Sequence, residues 1–169
     1  MKTSETLNPA QRFSPVLKLI ISIAVPLAVG AIAGYFTSTT VNDWFTTLLK
    51  PSFNPPSWVF MPVWTTLYVL MGIAFFLVWN SNANPEKKFA AYTFYWLQLF
   101  LNFLWSFLFF YFKQPGFAVT DIVLLLIMIG ATIYTFSKIS KTAAWLLVPY
   151  LCWVAFATAL NFEIWRLNA

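Results

Sequence analysis

Five long apolar stretches dominate the sequence and decide what this chain can fold into. A helix needs about 20 apolar residues to cross a bilayer core of roughly 30 Å. Stretches of that length predict helices at residues 16–36, 58–80, 89–112, 117–137 and 143–165. Charges within them are rare; Lys18 and Asp121 are two examples. The sequence therefore predicts an all-α membrane protein, a bundle of five transmembrane helices with a long loop between the first two.

Composition indicates lipid rather than water as the solvent of this protein. The chain is 60% hydrophobic and 9% charged, whereas soluble domains are typically about 45–50% apolar and about 25% charged. The net charge of +5 lies mainly at predicted helix ends, so it does not indicate nucleic-acid binding. The lack of His excludes His-ligated metals, His-ligated haem and a Ser-His-Asp triad. We expect neither a metal site nor a required cofactor.

The connections between the predicted helices are mostly short, which favours antiparallel neighbours in one transmembrane domain at residues 16–169. Residues 1–15 are polar and expected to be disordered. The longest connection, residues 37–57, differs between its two halves. Its first half contains Trp44 and could form a short amphipathic helix at the membrane surface. Its second half is rich in Pro and should be irregular, because Pro removes backbone donors.

Basic residues are divided unequally between the two ends of the predicted bundle. Seven share the side of the N-terminus: Lys2, Arg12, Lys18, Lys87, Lys88, Lys138 and Lys141. Three fall on the other side: Lys50, Lys113 and Arg166. The excess predicts a cytoplasmic N-terminus in a bacterial cell membrane. Dual or reversed insertion stays open. A cleaved signal peptide in place of the first helix also stays open, although its apolar run is longer than such peptides use.

The third predicted helix carries a polar stripe. Tyr95, Gln98, Asn102 and Trp105 recur at spacings of three and four, so they share one helix face. A lipid-facing amide is costly, and the stripe should therefore point into the bundle. Two interpretations stay open. The stripe either holds helices together through hydrogen bonds or forms the polar strip of a ligand cavity.

Aromatic residues make up 21% of the chain, which exceeds what packing in lipid requires. Trp64 in the second predicted helix and Trp153 in the fifth each lie on an aromatic or apolar stripe, and Pro149 can kink the fifth helix. Asp121 in the fourth helix is interpreted as a carboxylate near water in a first helical turn. A proton-carrying or ligand-binding role is the alternative.

The ordered motifs of the chain resemble those of a known family. They are Trp44-Phe45, Leu49-Lys50-Pro51-Ser52, Pro55-Pro56, Pro62-Val63-Trp64, Leu67-Tyr68, Met71-Gly72, Gln98, Asn102, Trp105, Asp121, Pro149-Tyr150, Trp153, Ala155-Phe156-Ala157 and Leu160-Asn161. Together they span roughly residues 20–168, and they are similar to the translocator protein or tryptophan-rich sensory protein family.

The resemblance implies a five-helix bundle that forms a homodimer, with the long first loop folded over a pocket that binds porphyrins. Carried over by position, the pocket comprises Trp44, Phe45, Pro51, Phe60, Trp64, Asn102, Phe117, Trp153, Ala157 and Leu160. The expected function is a membrane receptor or transporter-like protein for tetrapyrroles. The alternatives are light-dependent porphyrin degradation using Trp64 and Trp153, and a structural or regulatory subunit whose rings only pack.

The chain departs from the animal members of that family at two places. Phe162 stands where their cholesterol motif has Tyr, and Glu163 adds a charge beside it. Phe117 stands where they have Trp, which keeps a ring and loses an N–H donor. These departures argue against specific cholesterol binding, and such motifs are weak even when intact.

Overall fold

A computed structural model describes residues 13–169, without the side chains of residues 39–42. Its helices are α1 (Pro15–Thr40), α2 (Phe60–Trp79), α3 (Pro85–Ser106), α4 (Pro115–Ser137), α5 (Lys141–Leu146) and α6 (Val148–Asn168). Val41–Phe45 and Phe107–Tyr111 form π-helical turns, and Ser57–Val59 forms a 3-10 turn. Residues 13–169 contain no strand.

The predicted five-transmembrane fold is confirmed. Because α5 and α6 join into one span, the described chain has five spans that are long and apolar enough to cross a membrane. The chain is thus a multi-pass membrane protein. Most of the predicted disordered segment, residues 1–15, lies outside the described residues, and α1 begins at Pro15.

The helix ends differ from the predicted ones where local chemistry overrides hydropathy. The first span does not stop at residue 36, and no separate amphipathic helix follows it. Instead α1 runs to Thr40 and continues through the π turn Val41–Phe45. The third span begins at Pro85, where the Asn84 side chain accepts a hydrogen bond from the Glu86 backbone N–H at 2.9 Å. Because the first turn of this span is charged, the apolar run in the sequence predicted a start four residues later, at residue 89.

The fifth span is interrupted at Leu147, between α5 and α6. The ring of Pro149 cannot accompany a continuous helix, because it clashes with the carbonyl four residues earlier and removes a donor. The backbone N–H of Leu147 bonds instead to the carbonyl of Ala144 at 3.1 Å. The kink predicted at Pro149 is therefore confirmed, two residues before the proline.

Two glycines let α1 and α2 pack closely. A Cβ at Gly72 would lie 2.6 Å from the Ile23 Cα and 2.6 Å from the Ser22 carbonyl oxygen. A Cβ at Gly30 would overlap the ring of Tyr68. Gly34 differs, since a Cβ there would meet nothing within 4 Å. Close packing within the bundle therefore explains why residue 30 is a glycine, but it does not explain Gly34.

The bundle has two chemically different ends. At the loop end, the C-termini of α1 and α6 lie beside the start of α2, and the connection of residues 46–56 covers them. At the lysine end, the N-terminus of α1 lies beside the turn from α2 to α3. Between them, α2, α3, α4, α5 and α6 supply most of a continuous apolar core. Each end has a cavity of its own.

Candidate functional site

A cavity of about 30 Å³ lies at the loop end, between α2, α3 and α6. Its lining is almost entirely aromatic and aliphatic: Phe45, Phe60, Trp64, Trp105, Phe109, Phe110, Trp153, Ala157, Leu160, Asn161 and Ile164. We call it the aromatic cavity. Trp64 and Trp153 both belong to it, although their helices run in opposite directions and the sequence did not place them at one depth.

Helical periodicity explains how α6 reaches the cavity. Trp153, Ala157, Leu160 and Ile164 recur at spacings of four, three and four, so they form one stripe along the helix. On α2, Phe60 and Trp64 are one turn apart and face this stripe. The rings of Phe60 and Trp153 meet edge to face, with centroids 5.9 Å apart and planes at 72°. Edge-to-face contacts of this kind are a favourable packing arrangement for aromatic rings.

The π turn at the end of α3 places two consecutive rings in the cavity. In a regular helix adjacent residues point about 100° apart, yet Phe109 and Phe110 both line the site. Phe109 stacks on Trp105 with centroids 5.5 Å apart and planes at 27°. Lys113 then ends the turn with a φ of 56°, a left-handed conformation common at helix ends. Sequence reasoning missed Phe109 and Phe110, since a π turn has no sequence pattern.

The polar groups of the cavity are few, and most are saturated. The Trp105 indole N–H donates to the Asn161 side-chain oxygen at 2.9 Å. The Asn161 amide in turn donates to the Pro115 carbonyl at 3.0 Å, which ties α3, α4 and α6 together. Trp153 differs. Its Nε1 is buried and has no hydrogen-bond partner within the described residues. In the part of the chain that the structure describes, the cavity wall therefore contains a buried donor without a partner.

Asn102 lies in a separate network beneath the cavity. The Tyr68 hydroxyl donates to the Asn102 side-chain oxygen at 2.6 Å, and the Asn102 amide donates to the Tyr150 hydroxyl at 3.1 Å. All three side chains are buried. The predicted inward direction of the polar stripe is thus confirmed. Its member Asn102 joins α2, α3 and α6 and does not line the cavity.

The connection of residues 46–56 covers the loop end through several weak contacts. The Leu49 backbone N–H donates to the Asn168 side-chain oxygen at 2.9 Å, and the Asn168 amide donates to the Leu49 carbonyl at 3.0 Å. The ammonium of Lys50 lies 4.6 Å from the centroid of the Phe45 ring. The ring centroids of Phe53 and Phe156 are 6.3 Å apart. Exposed contacts of this kind are individually weak, so this segment can separate from α6 at low cost.

The ten residues predicted to bind a ligand divide into two groups. Six line the cavity: Phe45, Phe60, Trp64, Trp153, Ala157 and Leu160. Trp44 stands just behind the lining, with its ring centroid 5.8 Å from that of Phe109. Pro51 is in the covering connection. Phe117 is 68% exposed at the start of α4, so it lies away from the cavity together with Asn102.

Asp121 is deeper than the sequence indicated. Because α4 begins at Pro115, Asp121 is its seventh residue, about 9 Å along the axis. The residue is 5% exposed, and its Oδ2 has no hydrogen-bond partner within the described residues. The interpretation as a first-turn carboxylate near water is therefore wrong. A buried carboxyl inside a span is costly, and such groups are candidates for proton or ligand chemistry.

Comparison with known proteins gives consistent matches over most of the chain. The TspO/MBR family model matches residues 22–166. The tryptophan-rich protein TspO of Chlorobaculum tepidum is 44% identical over 153 residues, which are 90% of this chain and 97% of that protein. The human translocator protein is 43% identical over 126 residues, 74% of this chain and 75% of the human protein. The tryptophan-rich sensory protein of Cereibacter sphaeroides is 40% identical over 127 residues, 75% of this chain and 78% of that protein.

Proposed function

Because this chain belongs to the TspO/MBR family, we propose that it is a membrane receptor or transporter-like protein that binds porphyrins in the aromatic cavity. Its role would be in tetrapyrrole sensing or transport. A protoporphyrin-type molecule is a wide, flat, largely apolar ring with two carboxylates. Indole and phenyl faces suit the ring by stacking, and a carboxylate needs a hydrogen-bond donor.

The free indole N–H of Trp153 carries this proposal. A buried donor without a partner costs about 1–3 kcal/mol, and native proteins leave few of them. Within the described residues, Trp153 Nε1 is such a donor, in the wall of the aromatic cavity. A ligand that offers a carboxylate or a ring nitrogen to this N–H and a flat face to Phe60 and Trp64 removes the cost.

Entry of a porphyrin requires the aromatic cavity to open. Pockets for drug-sized ligands measure about 300–1,000 Å³, roughly tenfold or more above the 30 Å³ present here. The ring contact between Phe60 and Trp153 fills the space that a macrocycle needs. The covering connection is held to α6 at Asn168 by exposed hydrogen bonds. Lifting this connection and rotating the rings therefore gives the entry route.

The test is a titration of the detergent-solubilised protein with protoporphyrin, followed by the shift of the porphyrin Soret absorption band. Trp153→Phe keeps the ring and removes the donor, and we expect about tenfold weaker binding, the value of one charge-assisted hydrogen bond. Trp145→Phe is the matched control, because Trp145 is 71% exposed on α5, away from the cavity. It should bind as the unmodified chain does.

Two results would contradict porphyrin binding at this site. One is the lack of any Soret shift up to high micromolar protein. The other is equal affinity in the Trp153→Phe and Trp145→Phe variants, since that would place the ligand elsewhere. Trp153→Ala, which also removes the ring, should weaken binding further than Trp153→Phe.

A second candidate function is light-dependent degradation of the bound porphyrin. It is favoured by one observation, that Trp64 and Trp153 line the same cavity. The bound porphyrin absorbs light and activates dissolved O₂. Both oxygen atoms add across a methine-bridge bond, the carbon–carbon bond breaks and two carbonyl groups form, so no further reductant is needed. The two indoles confine and orient the ring during this step.

Illumination of the porphyrin complex in air distinguishes this activity from binding alone. The expected product is heavier than the porphyrin by one O₂, and its formation should stop without oxygen. We expect the Trp64→Phe, Trp153→Phe double variant, at saturating porphyrin, to form product several-fold more slowly than a Trp58→Phe, Trp145→Phe control. Trp58 is 75% exposed and, like Trp145, does not line the cavity. Equal rates in the two variants would remove the proposed role of the cavity indoles.

A further inference from the structure

A second cavity of about 180 Å³ lies at the lysine end, between α1, α2 and α3. Its lining includes Ser22 and Val25 of α1, Phe75 and Trp79 of α2, and Tyr95 and Trp96 of α3. We call it the lysine-end groove. It contains none of the residues of the aromatic cavity, which lies toward the opposite end of α2 and α3.

Two lysines stand at the mouth of this groove. Lys18 precedes Ser22 by one turn of α1, and Lys88 precedes Tyr95 by about two turns of α3, so each lies on the helix face that lines the groove. Trp79 connects them. The Lys18 ammonium lies 5.9 Å from the centroid of the Trp79 ring, and the Lys88 ammonium donates to the Trp79 carbonyl at 3.1 Å.

Neither lysine has a carboxylate partner within the described residues. The ion pair found there joins Arg166 and Glu163. This matters most for Lys18, which is only 8% exposed, because buried cations are normally paired. An ammonium has three donors. Lys18 uses one, on the Asn80 side chain at 3.5 Å. Lys88 uses two, which donate to the backbone carbonyls of Trp79 and Ser81 and so cap the C-terminal end of α2. Three N–H donors of the two ammonium groups remain without a partner in the described part of the chain.

The groove also holds two buried hydroxyls that have no hydrogen-bond partner among residues 13–169, the Ser22 Oγ and the Tyr95 OH. Ser22 is 2% exposed and Tyr95 is fully buried. Pro26 adds to the polarity of this wall, because a proline inside α1 cannot donate to the carbonyl of Ser22 four residues earlier. The groove thus offers free cationic donors at its mouth, a free hydroxyl one turn deeper and rings beyond it.

We propose that the lysine-end groove binds an anionic phospholipid. The phosphate lies between the ammonium groups of Lys18 and Lys88, an ester carbonyl accepts from the Ser22 hydroxyl, and one acyl chain occupies the cavity between Trp79 and Trp96. The occupant is a lipid rather than free phosphate, since the cavity beyond the lysines is lined by rings and aliphatic groups. This proposal does not rest on porphyrin binding.

The dimensions agree with a diacyl phospholipid. Four residues of helix separate Lys18 from Ser22, a rise of about 6 Å, so the two side chains follow one another along one face of α1. A cavity of 150 Å³ holds a benzene molecule, so 180 Å³ admits roughly the first six to eight carbons of a chain. The rest of the chain stays in the bilayer.

The test is native mass spectrometry of the full chain in detergent, titrated with dioleoyl phosphatidylglycerol or dioleoyl phosphatidylcholine. One phosphatidylglycerol should bind at least fivefold more tightly than phosphatidylcholine. Each juxtamembrane lysine contributes about a fivefold factor toward an anionic lipid. We therefore expect Lys18→Gln and Lys88→Gln each to weaken phosphatidylglycerol about fivefold. Phosphatidylcholine should lose less affinity, because its trimethylammonium group offsets the charge of its phosphate.

Lys138→Gln is the matched control. Lys138 is also at the lysine end and lies 4.6 Å from the Tyr134 ring centroid, but it is outside the groove. Its replacement should not change lipid preference. Equal binding of the two lipids, unchanged affinity in both groove variants, or an equal loss in Lys138→Gln would overturn the proposal. Dissociation of a lipid-free dimer by both groove variants would also overturn the proposal, because a second copy of the chain would then cover the groove. If Lys18→Gln does not fold, Lys88→Gln alone decides.

Discussion

Asn102 and Trp153 show how two buried polar side chains in one bundle take different roles. The Asn102 side-chain oxygen accepts from the Tyr68 hydroxyl, and its amide donates to the Tyr150 hydroxyl. Trp153 leaves its N–H free beside the cavity. A saturated group stabilises the fold, whereas an unsatisfied one costs free energy until a partner arrives. We therefore expect Asn102 to contribute to stability and Trp153 to be available to a ligand.

Replacing Asn102 by Leu should lower the free energy of unfolding by about 2–3 kcal/mol, because the buried hydroxyls of Tyr68 and Tyr150 both lose their partner. Thermal unfolding in detergent measures this. The triple variant Asn102→Leu, Tyr68→Phe, Tyr150→Phe leaves no orphaned group and should regain most of the loss. A triple variant less stable than Asn102→Leu would show that the hydroxyls have other partners.

At the scale of elements, the close crossing of α1 and α2 depends on Gly72 of α2 more than on Gly34 of α1. Gly72→Ala would bring a methyl to 2.6 Å from the backbone of Ser22 and Ile23, neither of which can move aside as a side chain does. We expect a loss of about 1–3 kcal/mol in unfolding free energy. Gly34→Ala meets open space and should be neutral or stabilising by up to about 1 kcal/mol. Comparable unfolding temperatures for the two variants would contradict the crossing described here.

Elements and site differ in how far the sequence predicts them. Hydropathy locates every span, because a bilayer demands about 20 apolar residues, and the period of 3.6 places Trp153, Ala157 and Leu160 on one face. Hydropathy misses the charged first turn of α3. Periodicity misses Phe109 and Phe110, because the π turn Phe107–Tyr111 shifts the phase of the side chains. Carrying residues over by sequence position also placed Asn102 in the pocket. The sequence does not show its hydrogen-bond partners, because Tyr68 and Tyr150 come from helices far away in the chain.

The two cavities of the molecule lie toward opposite ends of the bundle. On α2 their nearest lining residues, Trp64 and Phe75, are eleven residues apart, about 16 Å along the helix axis. The aromatic cavity is collapsed on its own rings beneath residues 46–56, and the lysine-end groove is larger and has cations at its mouth. They share α2 and α3 and have no lining residue in common. Variants at one end should therefore leave ligand binding at the other end unchanged, as expected for sites far apart without shared partners.

Opening at the loop end should be governed by Asn168, which holds Leu49 through one donated and one accepted hydrogen bond. If lifting the connection limits entry, removing this exposed pair, worth about 1 kcal/mol, increases the open fraction about fivefold. Asn168→Ala should then accelerate protoporphyrin association about fivefold in stopped-flow absorbance measurements. Arg166→Gln is the control, since it breaks the 2.8 Å ion pair with Glu163 on the same helix end without touching the connection. Equal acceleration in both variants would mean that fraying of α6, and not release of the connection, admits the ligand.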